Sequence, residues 1–210
     1  MSDDASTWKM IHAERAAMAD TLESLTPEQW AQPSLCGDWS VQVTAGHIMA
    51  GAEQTKGQFM SHMLTNGFRF NRMIDRDARA AGALTPAEII ERLRARTSTT
   101  NGPPAPAMTM LGEVLVHGED IRQPLGLSAD HRPEALVACL DMYKTTSFPV
   151  GTKKRIEGLR LVPDDVEWSH GDGPSVTGPS RSLLLAMTGR AGALGDLGGE
   201  GLSTLRSRMA

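Results

Sequence analysis

The run Asn101-Gly102-Pro103-Pro104-Ala105-Pro106 constrains this chain more than any other stretch. Prolines lack the backbone N–H and clash with the preceding turn, so the run must break an otherwise strongly helical sequence. Ahead of it, Ser6 to Ser24 places Met10, Ile11, Ala17, Met18, Leu22 and Leu25 at the spacing of an amphipathic helix that stops near Thr26-Pro27. After a connector with Pro33 and Gly37, Ser40 stands as the N-cap of a long helix from Val41 to Leu64, with Gly46 and Gly51 as the places where it would bend. Thr85, Pro86 and Glu88 form a capping-box pattern that opens a third helix running to about Ser98. Beyond the breaker, Met108 to Arg122 is helical until Pro124 and Gly126, and Pro133 to Thr146 is a fifth candidate.

The character changes at Phe148. Gly158 to Val162 and Val166 to Ser169 read as two strands of a hairpin, with Gly171-Asp172-Gly173-Pro174 as a turn. Arg181 to Met187 follows as a short apolar helix ending at Thr188-Gly189, before a Gly-rich tail. The expected organisation is therefore mainly α, with a helical bundle over residues 1–147 and a small α/β domain over residues 148–210.

Composition limits the partners. The net charge is −4, with acids and bases interspersed, which disfavours nucleic acid and anionic membranes. No stretch approaches the length of an apolar membrane span, and the first residues lack a secretory pattern, so a cytoplasmic protein is expected. Cys36 and Cys139 make no disulfide framework and read as free thiols.

On the helix from Met108 to Arg122, Glu113 and His117 are four residues apart, so one ion can bridge them. His117 borders the stripe of Met110, Val114 and Ile121 and should face the bundle interior, whereas Glu119 points the other way. Zinc accepts imidazole and carboxylate donors, and catalytic sites use three of them. His47, beside Val43 and Ile48 in another long helix, is the best third ligand. The same spacing also arises as a plain i,i+4 pair, and imidazoles stand elsewhere at His12, His62, His131 and His170 without a partner at ligand spacing.

Three segments taken together carry more than this spacing. They are Leu25-Thr26-Pro27-Glu28-Gln29-Trp30, then Ser34-Leu35-Cys36-Gly37-Asp38-Trp39-Ser40-Val41 leading to His47, and Gly112-Glu113-Val114-Leu115-Val116-His117-Gly118-Glu119-Asp120-Ile121-Arg122-Gln123-Pro124-Leu125-Gly126. They resemble the mycothiol-dependent maleylpyruvate isomerase family, within the wider DinB-like group of four-helix bundles, and the run Ser182 to Arg190 looks like that family's C-terminal domain. The resemblance implies metal ligands at His47, Glu113 and His117, and at Arg190 an arginine that reaches the substrate. Gln42 departs from the pattern, standing where relatives usually carry an acid.

The resemblance implies a zinc-dependent enzyme that uses mycothiol to isomerise or conjugate a small electrophilic unsaturated acid. Asp120 would orient an imidazole from behind, or be a solvated aspartate. Arg190 would hold a carboxylate, or cap a helix end. Cys36 reads as packing beside Trp39 rather than as a nucleophile, Trp30 and Trp39 as core anchors, and Arg69, Arg72, Arg76 and Arg79 as a solvated helix face. A metal-dependent hydrolase of a thiol conjugate and a non-catalytic metal-binding protein remain as alternatives. The implied partners are a small-molecule substrate and the thiol, and a homodimer is the expected assembly if there is one.

Overall fold

Local sequence rules account for several of the helices in a computed structural model that describes residues 4–209. The first helix, α1, spans Asp4–Glu23 and is followed by the single turn α2, Pro27–Trp30, which opens on a capping box between Thr26 and Gln29. Ser40 caps α3, Val41–Glu53, by accepting from the Val43 N–H. Thr85 and Glu88 form the reciprocal box at the start of α6, Pro86–Ala95. The helix after the proline run is α7, Ala107–Arg122.

The long helix expected from Val41 to Leu64 is two helices. The α3 helix ends at Glu53, and α4, Lys56–Thr65, begins anew because Thr55 and Gln58 form their own capping box. Gly46 does not bend α3; it is where α3 crosses α5, Phe70–Gly82. A Cβ at Gly46 would lie 2.6 Å from the Gly82 nitrogen, so only glycine allows the two backbones to approach this closely. Gln42 secures the same crossing by donating to the carbonyls of Gly82 and Leu84, each at 2.9 Å.

The chain divides into two compact units, 1–129 and 130–210. In the first, α1 and α3 each pack against both α6 and α7, giving a closed set of four helices. Their apolar faces meet in a core that includes Met18, Leu22, Trp30, Val41, Ala45, Ile48, Met49, Ile89, Leu93, Val114 and Ile121. The α5 helix lies against α3 outside that set.

The second unit begins ahead of the change in character at Phe148, because α8, Pro133–Tyr143, packs on α10, Ser180–Met187. The remaining elements of this unit are the short helices α9, Thr152–Arg155, and α11, Leu202–Ser207, a 3-10 turn over Ala191–Asp196, and two strands, β1, Arg160–Pro163, and β2, Ser175–Gly178. The expected hairpin is replaced by a parallel pair, with Arg160 opposite Ser175 and Pro163 opposite Gly178. Val166 to Ser169 is not a strand; only His170 makes an antiparallel bridge, to Leu161. Gly173 lets the returning chain pass against the Gly158 carbonyl, where a Cβ would collide with backbone. The helix expected over Arg181 to Met187 starts one residue earlier. No helix among the described residues is long and apolar enough to cross a membrane.

Candidate metal centre

Two helices and one connector build the site. His47 comes from the middle of α3, and Glu113 and His117 come from successive turns of α7. Because α3 and α7 pack together, the three side chains converge, with one donor atom from each lying within 4.8 Å of the others. His47 Nε2 is 2.9 Å from Glu113 Oε2, and His117 Nε2 is 3.5 Å from the same oxygen. The two imidazoles meet edge to face with centroids 4.9 Å apart. Both are largely covered, at 13% side-chain exposure, whereas Glu113 is 44% exposed. Two imidazole nitrogens and a carboxylate oxygen make a donor group that could hold a divalent metal ion.

The other nitrogen of His117 faces inward. Its Nδ1 lies 2.9 Å from Oδ2 of Asp120, a carboxylate that is fully buried one turn along α7. Burial opposes a charge on His117, but hydrogen bonds with Asp120 and Cys36 and the nearby charges of Glu113 and Asp120 outweigh it, raising the imidazole from 6.5 to about 10.

Cys36 is therefore more than packing in the connector. Its thiol forms a second possible donor group with His117 and Asp120. The connector is held in place by the Leu35 N–H donating to the Asp120 carbonyl at 3.0 Å, and by Ser34 Oγ, which donates to the Trp39 carbonyl at 2.9 Å and lies 2.8 Å from Thr44 Oγ1. Trp39 both anchors this loop and covers the site. Its ring centroid lies 5.2 Å from that of His47 and 6.3 Å from that of His117, and its indole N–H donates to Asp75 at 2.9 Å. That bond, with those from Arg79, holds the Asp75 carboxyl below its ordinary value. The basic face of α5 is accordingly laced with acids, Arg79 pairing with Asp75 and Arg76 with Asp77.

Arg190 belongs to the second unit, where it precedes the 3-10 turn and donates from Nη1 to the Thr188 carbonyl at 2.9 Å. Its neighbour there is Arg155, whose guanidinium is held below its ordinary value by burial and by the charge of Arg190. Among the other histidines, His12 reaches the Thr99 carbonyl and His62 pairs with Asp77 at 2.6 Å.

One residue beside the site escaped the sequence reading. Arg15 is 1% exposed and sits between Ile11 and Met18 on the buried face of α1. It lines a small cavity together with His47, Ile48, Gly51, Met110, Glu113 and Val114. The available signal was an arginine at helical spacing inside an apolar stripe.

Residues 11–105 match the family model of the mycothiol maleylpyruvate isomerase N-terminal domain, a span that includes His47 and ends ahead of Glu113 and His117. The crystal structure of a mycothiol-dependent maleylpyruvate isomerase is similar in fold, with a TM-score of 0.67 at 15% identity, covering 95% of this chain and 93% of that one. A histidine-to-alanine mutant of such an isomerase gives a TM-score of 0.65 at 16% identity over the same shares, 95% and 93%. No curated protein matches the chain.

Proposed function

We propose, from the premise that this chain carries the mycothiol maleylpyruvate isomerase N-terminal domain, that it is a zinc-dependent enzyme using a low-molecular-weight thiol, mycothiol, on a small electrophilic unsaturated acid. The observation that supports this best is the convergence of His47, Glu113 and His117 from two packed helices. A divalent ion held there would act as a Lewis acid and keep a coordinated thiol deprotonated at neutral pH.

The protein's own residues have separable tasks in this reading. His47 and His117 offer Nε2, and Glu113 contributes the negative charge that offsets part of the ion's charge. Asp120 accepts a hydrogen bond from Nδ1–H of His117, which fixes the tautomer and leaves the opposite nitrogen free to bind. Trp39 walls one side and limits water. Arg190 supplies a planar fork suited to a carboxylate.

The thiolate sulfur adds to the carbon β to a carbonyl of the acid, the π pair moves onto that carbonyl oxygen as an enolate, and the former double bond becomes a single bond about which the chain rotates. Expulsion of the same thiolate restores the double bond in the trans geometry, so the thiol is not consumed. If the enolate instead takes a proton from water at its α-carbon and the adduct is released, the product is an S-conjugate and the enzyme is a transferase.

The test is the metal content of protein purified without a chelating tag, for wild type, His47→Ala and His117→Ala, followed by maleylpyruvate turnover with and without mycothiol. Near-stoichiometric zinc in wild type, its loss in both variants and strictly thiol-dependent turnover are expected. Metal indifferent to both substitutions would sink the assigned site, and turnover without any thiol would replace thiol addition with hydrolysis.

A further inference from the structure

We propose that Arg15 binds a carboxylate of the acid substrate from inside the helical unit, through Nη2 in the cavity it shares with His47 and Glu113. The proposal rests on the reading of the site as one that takes an unsaturated acid.

Arg15 is a cation held almost entirely out of water, at 1% exposure, and it remains charged at neutral pH although burial lowers it to about 10. Its partners are not anions. Nη1 donates to the carbonyls of Thr99 at 2.9 Å and of Arg96 at 3.4 Å, and the guanidinium carbon lies 5.7 Å from the centroid of the Trp8 ring. Those contacts fasten α1 to the end of α6 and account for one arm of the fork. The other arm, Nη2, is buried and makes no hydrogen bond. A buried cation with an unused donor is costly unless something anionic arrives to meet it.

The cavity beside Arg15 indicates what arrives. The cavity that Arg15 lines is also lined by His47 and Glu113, two of the three convergent donors, with Ile48, Gly51, Met110 and Val114 as its apolar walls. Its volume is about 10 Å³, room for one oxygen-sized group and not for a carbon chain. A carboxylate whose remaining atoms lie on the metal side would place a single oxygen there. Arginine suits that task because its fork keeps its geometry while one arm is tied to the backbone. The charge also matters, since an anionic substrate must approach Glu113, and Arg15 is the buried cation beside it. Specificity for acids over their neutral analogues follows.

The experiment is calorimetric titration of maleate, and of its neutral diamide maleamide, into zinc-loaded protein without any thiol. Wild type, Arg15→Lys and Arg15→Met are compared, with zinc content and thermal unfolding measured on each. The expected result is at least tenfold weaker maleate binding in Arg15→Met with zinc retained, an intermediate loss in Arg15→Lys and no change for maleamide. Gly51→Val serves as an independent variant should Arg15→Met fail to fold. A Cβ at Gly51 meets only the Met110 methyl, at 3.6 Å, and the added methyls would fill the cavity while leaving Arg15 in place. It is expected to lose maleate to a similar degree. Maleate bound as in wild type by either folded, zinc-loaded variant would overturn the proposal, as would zinc-loaded wild type that binds no maleate. Arg15-dependent maleate binding in a protein indifferent to mycothiol would instead overturn the thiol chemistry and leave this assignment standing.

Discussion

Asp120 holds His117 from behind, with its fully buried Oδ2 2.9 Å from the imidazole Nδ1 while the opposite nitrogen faces Glu113. An aspartate inside a helix core is costly unless it is paired, so its presence one turn from His117 ties it to the imidazole's orientation. Asp120→Asn keeps the shape and removes the charge. It is expected to weaken zinc binding by about 10- to 100-fold, the usual effect of losing such a partner. Competition with a chromophoric chelator measures this, and unchanged affinity would show that Asp120 only packs.

The same pair sets a pH dependence. In the metal-free protein His117 is raised from 6.5 to about 10, so at neutral pH it carries a proton that a ligand nitrogen must lose. Zinc binding is then expected to release about one proton from this site, and affinity to rise by up to about tenfold per pH unit above neutrality. Calorimetry in two buffers of different ionisation enthalpy counts the proton; heats that do not depend on the buffer would show His117 already neutral. The stability of the metal-free protein runs the opposite way. Because the folded value is the higher one, this contribution is complete below 6.5 and is lost as the pH climbs through about 10.

The caps at Ser40 and Thr85 and the turn between α7 and α8 are legible in the sequence because each is written in adjacent residues. The break between α3 and α4 is equally local, yet the apolar periodicity running through it outweighs Thr55 and Gln58 in a reading by period alone. The parallel pairing of β1 and β2 is not local: it depends on which segment returns to Leu161, and strand pattern does not encode that. At the site, Glu113 and His117 follow from helical spacing, while His47 needs the packing of α3 on α7. Sequence places Arg15 in an apolar stripe and Cys36 ahead of a helix, but their roles come from contacts across the fold, with a shared cavity and with His117.

Gly46 and Gly82 carry the crossing of α3 and α5, and with it the placement of His47 on the next position of α3. In Gly46→Ala the new methyl would meet backbone, 2.6 Å from the Gly82 nitrogen and 2.8 Å from the Ala81 carbonyl carbon, so a helix must move. A loss of about 1–3 kcal/mol is expected from such overpacking. Gly57→Ala on α4 is the control, since nothing lies within 4 Å of its Cβ; it should be neutral or stabilising by up to about 1 kcal/mol. Urea denaturation separates the two, and equal midpoints would mean that the crossing tolerates a side chain.

Glu119, the residue that turns away from the metal side of α7, pairs with Arg122 in the interior, where the two are 0% and 1% exposed and 3.4 Å apart. Arg122 also donates from Nε to Thr21 Oγ1 on α1 at 3.1 Å, so the pair ties two core helices together. Glu119→Gln would leave a buried guanidinium without its countercharge, a loss of about 3–5 kcal/mol, whereas replacing both residues by apolar ones of similar volume should recover much of it. Zinc content should stay unchanged in any variant that folds, because neither side chain belongs to the donor set. A double-mutant cycle in urea tests this, and a single Glu119→Gln variant as stable as wild type would show that the pair contributes no net stability.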